Sequence, residues 1–210
     1  MDIIYYQHGD RDVNKIALTF DDGPNPFFTE KVLGILKENS VRATFFILGK
    51  WAESYPEIVE KICADNHIVG NHSYSHEKGD FDLAETIITK ATKQPSKFVR
   101  PPHNKTEWCI NSEICKKPGV KIINNDTVIG DWKCPGEKIL IDKTEEKTQN
   151  GSIILLHDGS HRDHELETRP QQMVSVLPSI IKKLKDKGFM FVGLDEMDLI
   201  PEHFSDIQDT

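Results

Sequence analysis

Ile16-Ala17-Leu18-Thr19-Phe20, running into Asp21-Asp22-Gly23-Pro24, is the stretch on which the reading of the fold turns. Apolar and β-branched residues in a row describe a short buried strand, and the Asp-Asp-Gly-Pro after it describes a polar turn. Downstream, Val32, Leu33, Ile35 and Leu36 recur at helical spacing between Phe28 and Lys37, with Asn39 as a stop signal. Arg42 to Leu48 reads as a second strand, Glu53 to Ala64 as a helix, and His67 to Gly70 as a third strand. The alternation continues through a helix over Leu83–Ala91 and extended segments at Lys97–Val99 and Val120–Ile123. Ile139–Thr148 is expected to be helical, and Ser152–Leu156 is a strongly apolar strand. Val174–Lys187 carries a helical stripe that Pro178 should interrupt unless it falls in the first turn. Gly188 ends that helix, and Phe189–Val192 is a last strand.

Short strands separated by helices form the βαβ signature of a parallel sheet, with about seven strands expected. The pattern leaves a doubly wound sheet and a barrel equally open. Either would place polar chemistry at the carboxyl ends of the strands.

Composition narrows the function. The 210 residues are 37% hydrophobic and 29% charged, enough for one domain over 1–210 with a substantial core. Thirty-four acidic against 26 basic residues give a net charge of -8, with no basic stripe for a nucleic-acid partner. No apolar run is long enough for stable membrane insertion, and Met1 to Gln7 has no signal-peptide character. The four cysteines are too sparse for a disulfide framework, and oligomeric state is not legible.

Five polar clusters follow strands directly. Asp21-Asp22 comes first: adjacent carboxylates at a strand end diverge, so one can bind a cation while the other accepts a proton. His72-Ser73-Tyr74-Ser75-His76 comes second. Histidines four apart share one face of a helical turn and can grip one ion. Ser73 stands where a zinc protease of that spacing carries its glutamate base, so a third ligand and a base must come from elsewhere, with Asp21 and Asp22 as the obvious suppliers. Such a ligand set suits zinc, cobalt, iron or manganese. Arg100-Pro101-Pro102-His103, Asp131-Trp132 and His157-Asp158-Gly159 complete the series. An arginine on a rigid exit can hold a carboxylate, and a histidine at a strand mouth with Asp131 beside it can donate a proton. His161 and His164 follow in a polar loop within reach of a substrate. The sum describes a hydrolytic metal site.

These segments resemble the polysaccharide deacetylases of the NodB-homology type, carbohydrate esterase family four. The resemblance runs from about Ile16 to Leu199. It is carried by Thr19-Phe20-Asp21-Asp22-Gly23-Pro24, by His72-Ser73-Tyr74-Ser75-His76, by Arg100-Pro101-Pro102, by Asp131-Trp132 and by Leu155-Leu156-His157-Asp158. The resemblance implies a distorted (β/α) barrel of about seven parallel strands. It also implies Asp22, His72 and His76 as ligands of one divalent ion, zinc above all, with cobalt, manganese, iron or nickel as substitutes. Asp21 would be the general base and His157 the general acid. Arg100 would orient Asp21, at a cost to activity rather than to the fold if it were lost, and Asp131 would act on His157. Pro102, His103, Trp132 and Leu155 would border the substrate. The implied partner is an acetylated carbohydrate, N-acetylglucosamine units of chitin oligomers or peptidoglycan, and the implied location is extracellular or the cell envelope.

The chain departs from the family pattern in three places. His103 stands where tyrosine is frequent, Val128 where the fourth motif usually has another aspartate, and the connection from His72 to Arg100 is shorter than is typical. Those departures keep two alternatives in view: another metallohydrolase of this fold, acting on a cyclic amide or acetylxylan, and a non-catalytic carbohydrate-binding protein.

Overall fold

The computed structural model describes residues 3–162 and 169–204. Its elements, in chain order, are β1 (Ile3–Gly9), β2 (Lys15–Asp21), α1 (Thr29–Glu38), β3 (Thr44–Ile47), α2 (Gly49–Ser54), α3 (Pro56–Ala64) and β4 (Ile68–Asn71). There follow α4 (Phe81–Thr92), β5 (Phe98–Val99), α5 (Glu113–Lys116), β6 (Lys121–Ile123), β7 (Thr127–Val128) and α6 (Glu137–Lys147). The chain then runs through β8 (Ile153–His157), α7 (Arg169–Asp186), β9 (Met190–Phe191) and β10 (Leu199–Phe204).

One 10-stranded sheet runs β10-β1-β6-β5-β4-β3-β2-β8-β7, with β9 pairing β2. All its ladders are parallel except β1 with β10. The sheet curls: His8 of β1 makes an isolated bridge to Ser152 just before β8, and the Gly9 N–H donates to the Gly151 carbonyl at 2.8 Å. This is the α/β architecture of an irregular (β/α) barrel.

Strand periodicity decides which side chains see the helices and which see the interior. In β2, Ile16, Leu18 and Phe20 join the outer core formed with Val32, Leu33 and Leu36 of α1 and with Leu177, Ile181 and Leu184 of α7. Ala17 points the other way, into a second cluster with Phe46, Phe98, Ile123 and Ile153. In β8, Ile154 and Leu156 face the helices while Ile153 faces the interior. Each such buried aliphatic side chain contributes about 1.5–3 kcal/mol, so register is strongly enforced. With Ala17 and Ile153 facing inward, Asp21 and His157 do so at the carboxyl ends of their strands.

Several expectations needed correction. β1 and β10 were not anticipated, because both are amphipathic and β10 carries Pro201, tolerated only because β10 is the sheet's edge. The helix expected from Glu53 begins instead at Pro56, since Pro is favoured in a first turn and the segment before it closes α2. Pro178 lies well inside α7 and does not end it. It occupies an exposed position, where water can reach the carbonyl left without its donor.

Candidate active site

Five strand ends converge on one pocket of about 380 Å³. Asp21 ends β2 and is in direct register with His157, which ends β8. His72 follows β4, Arg100 follows β5, and Asp131 opens a 3-10 turn (Asp131–Lys133) just after β7.

Arg100 is 1% exposed and spans the barrel interior. Its Nη1 donates to Asp21 Oδ1 at 2.8 Å and to Thr19 Oγ1 at 2.7 Å. Longer bonds run to the Ile123 and Asn124 carbonyls, and the guanidinium lies 4.1 Å from the Phe46 ring centroid. The pair is fully desolvated, and burial pulls the arginine's pKa down against the opposing pull of Asp21. Arg100 is therefore as much a structural member as a positioning one. Breaking a buried pair strands a charge in a low-dielectric interior, so its loss costs the fold as well as the site.

Asp22 is the hub of the second half of the pocket. Its Oδ1 lies 3.6 Å from His72 Nε2 and 3.5 Å from His76 Nε2, and its Oδ2 lies 3.5 Å from His161 Nδ1. His72 Nε2 is also 3.7 Å from Asp21 Oδ2. Although buried, Asp22 Oδ1 has no hydrogen-bond partner among the described residues. Burial alone would raise this carboxyl, but the contact with His161 and the nearby His157, His72 and His76 hold it below the usual carboxylate range. Burial, then His72, His161 and His103, pull His76 down to about 3 despite Asp22, which keeps its imidazole neutral. The ring of His72 is oriented from behind: Nδ1 donates to the Arg100 carbonyl at 2.8 Å, which turns Nε2 toward Asp22.

These residues fit a divalent ion. Donors bound about 2.1 Å from one tetrahedral ion stand about 3.4 Å apart, close to the separations around Asp22. A buried carboxylate oxygen among imidazole nitrogens is the donor chemistry of zinc and its neighbours. The group whose ligand atoms all lie within 4.8 Å of one another is Asp22, His76 and His161; His72 meets it through Asp22 Oδ1.

The backbone is bent to bring these groups together. Asp22 (φ 70°), Ser73 (φ 71°), His76 (φ 73°) and His103 (φ 58°) all adopt the left-handed region, a concentration of strain typical of functional sites. The two histidines of the second cluster thus sit on an irregular loop, not on the helical turn that their spacing suggested. Ser73 Oγ accepts from the His76 N–H at 3.0 Å and ties that loop together. Two glycines permit close approach: a Cβ on Gly23 would fall 2.5 Å from Asp158 Oδ2, and one on Gly159 would fall 2.3 Å from the Asp22 carbonyl.

On the far side of the pocket, Asp131 grips His157 twice. Oδ2 accepts from the His157 main-chain N–H at 2.8 Å, and Oδ1 lies 3.0 Å from Nδ1. Burial opposes the charged imidazole, but Asp131, followed by Asp22 and Asp21, outweighs it and raises the pKa to about 9. His157 is accordingly protonated at neutral pH. The adjacent Asp158 has turned away from the pocket: Thr29 Oγ1 donates to its Oδ2 at 2.5 Å, and burial pushes its carboxyl up to about 7.

Residues 8–117 match the family described as polysaccharide deacetylase. A peptidoglycan-N-acetylglucosamine deacetylase of Bacillus cereus is 34% identical over 200 residues, covering 87% of this chain and 68% of that one. A chitooligosaccharide deacetylase of Sinorhizobium fredii is 31% identical over 194 residues, covering 86% and 90%. The chain belongs to the polysaccharide deacetylase family. Among solved structures, a peptidoglycan N-acetylglucosamine deacetylase in complex with 4-naphthalen-1-yl-N-oxidanyl-benzamide superposes with a TM-score of 0.79 at 32% identity, covering 92% of each chain. The NodB-type barrel and a hydrolase of polysaccharide acetyl groups are thereby established.

The pocket of this deacetylase contains most of the residues singled out from sequence. Asp21, Asp22, His72, His76, Asp131 and His157 line it, as do His103, Trp132 and Leu155. Trp132 stands 5.3 Å from the His157 ring, edge to face. Arg100 and Pro102 are the exceptions: Arg100 lies beneath the pocket against Asp21, and Pro101 stands in the wall in place of Pro102. Val128, where an aspartate was looked for, lines the pocket, whereas Asp126 turns outward to Arg11 at 2.6 Å. His164 lies outside the described residues. Asn104 and Asn125 were missed; they bond to each other at 3.0 Å beside the pocket, and no spacing in the sequence announces them.

Proposed function

We propose that this enzyme removes the N-acetyl group from N-acetylglucosamine units of a peptidoglycan or chitin-type glycan, with one divalent ion, zinc above all, bound by Asp22, His72 and His76. The single observation that carries this reading is that Asp21 and His157 stand in register on adjacent strands of one pocket that also contains the Asp22 hub. A base and an acid thus flank the place where an acyl carbon beside the ion would sit. When bound, such an ion lowers the pKa of water and polarises the acetyl carbonyl.

The remaining chemistry belongs to the chain. Asp21, held and aimed by Arg100 Nη1, takes the proton of the attacking water. The main-chain N–H of His103, which borders the pocket, is assigned as the donor to the developing oxyanion, where a fixed dipole is most effective. His157, charged through Asp131, protonates the departing amine so that acetate and a free glucosamine unit leave. Trp132 and Leu155 supply the apolar wall against the acetyl methyl, and His103 shapes the opposite wall. The chain's similarity to both a peptidoglycan and a chitooligosaccharide deacetylase supports this class of substrate.

Acetate release from N-acetylglucosamine oligomers, with and without a chelator, tests the proposal. Wild-type enzyme should release acetate and lose that activity on chelation. D21N and H157A should each fall by about two orders of magnitude or more while retaining the ion, whereas D22A and H72A should lose it. Near-wild-type turnover by D21N would remove Asp21 from the role of base.

A further inference from the structure

The loop after β8 brings a third imidazole to Asp22, and its placement is too well anchored to be incidental. His161 Nδ1 is 3.5 Å from Asp22 Oδ2, the oxygen opposite to the one that meets His72 and His76. Its ring lies parallel to that of His76, with centroids 4.5 Å apart and an interplanar angle of 10°. Two side chains of α2 hold the main chain on either side of its Cα. Trp51 Nε1 donates to the Ser160 carbonyl at 2.8 Å, and Lys50 Nζ donates to the His161 carbonyl at 2.6 Å. Gly159 lets the loop approach the Asp22 backbone more closely than any other residue could.

We propose that His161 is a fourth protein donor to the ion, joining Asp22, His72 and His76 in the enzyme without substrate. This rests on the metal reading above and goes beyond it. Asp22, His76 and His161 are the trio whose donor atoms all lie within 4.8 Å of one another, so His161 stands as near to Asp22 as His72 and His76 do. Four protein donors saturate a tetrahedral ion, which is the condition of a structural site. The hydrolytic step needs an open position, so His161 has to yield it as substrate enters. The residue is suited to that: its side chain is 37% exposed, against 3% for His72 and 10% for His76. His161 thus serves as the exchangeable donor, with Lys50 and Trp51 as positioning residues that return it.

The test is metal binding by the intact chain, read without turnover. Zinc affinity is measured by chelator competition, and the d–d absorption of the cobalt(II)-loaded protein is recorded for wild type, H161A, H161Q and H72A. The expected wild-type spectrum is the intense one of four-coordinate cobalt. In H161A and H161Q the intensity should fall severalfold as water enters, and the zinc dissociation constant should rise by at least about tenfold. H161Q keeps a polar side chain in the loop, and circular dichroism of both variants confirms that they are folded. Unchanged spectra and affinities in both His161 variants, with H72A impaired, would overturn the fourth-donor assignment and leave the three-residue site standing. A wild-type chain that takes up neither ion would overturn both.

Discussion

Asp131 shows how one side chain can set the working range of another. Its charge and its contact with the His157 ring, helped by Asp22 and Asp21, offset burial and raise that imidazole to about 9. A group whose folded pKa lies above its unfolded value binds its proton more tightly in the native state, so its contribution to stability is complete below about 6.5 and fades as pH rises through 9. The same protonation is needed for acid catalysis, so kcat/KM is expected to have an alkaline limb near pH 9. In D131N that limb should move down by at least one pH unit, with a fall in rate at pH 8 that is partly recovered at pH 6. A limb unmoved by the substitution would assign the protonation to another group. Arg100 makes the complementary point about charge in the interior. R100M leaves Asp21 desolvated without its partner and Thr19 without its donor, at an expected cost of about 3–5 kcal/mol. Chemical denaturation would register this as a clear fall in midpoint, whereas an unchanged midpoint with lost activity would restore the purely orienting role read from sequence.

At the scale of the element, α7 is the instructive case. It continues through Pro178, although an interior proline removes a hydrogen bond and crowds the preceding turn. The apolar face decides: Val176, Leu177, Ile180, Ile181 and Leu184 are all buried against the sheet, and that burial is worth more than the missing bond. P178A is therefore expected to raise the melting temperature, with a stabilisation of about 1–3 kcal/mol. A lower melting temperature would mean that the packing of α7 depends on a bend at this proline. The loop after β4 obeys a different logic. Its sequence spacing matches a helical pair, but Asp80 captures the main-chain N–H groups of Tyr74 and Ser75 at 3.0 and 2.8 Å. Those bonds hold a turn that leads into α4 instead of a helix across His72 and His76.

For the whole molecule, the site and the stability are linked through Asp22. A buried carboxylate whose Oδ1 lacks a partner among the described residues is costly to fold around, and an ion that binds only the native state offsets that cost by mass action. At a free concentration about a hundred times the dissociation constant, the gain is about 2.7 kcal/mol. Removal of divalent ions by chelation should lower the melting temperature by several degrees, and zinc should restore it. The effect should vanish in D22A. A chelator-insensitive melting curve would place the ion's energetic role outside the fold.

Much of this was written along the chain. Ile16 to Phe20 and Ser152 to Leu156 declare strands because continuous apolar runs have no other stable home. The polar residues that follow them had to lie at the barrel's mouth, since a parallel βαβ chain puts successive carboxyl ends at one face. Asp21, Asp22, His72, His76, Arg100, Asp131 and His157 were legible on that ground. Other features depended on contacts between segments far apart in sequence. β10 is a strand because β1 offers it an edge; Pro101 and not Pro102 borders the pocket; Arg100 is a pillar of the interior. His161 reaches Asp22 because α2 pins its loop from across the barrel. Local sequence encodes periodicity and strand ends, which are short-range steric and hydrophobic facts, whereas the partner of each charged or metal-binding atom is settled only when the sheet curls and brings distant loops within hydrogen-bonding range.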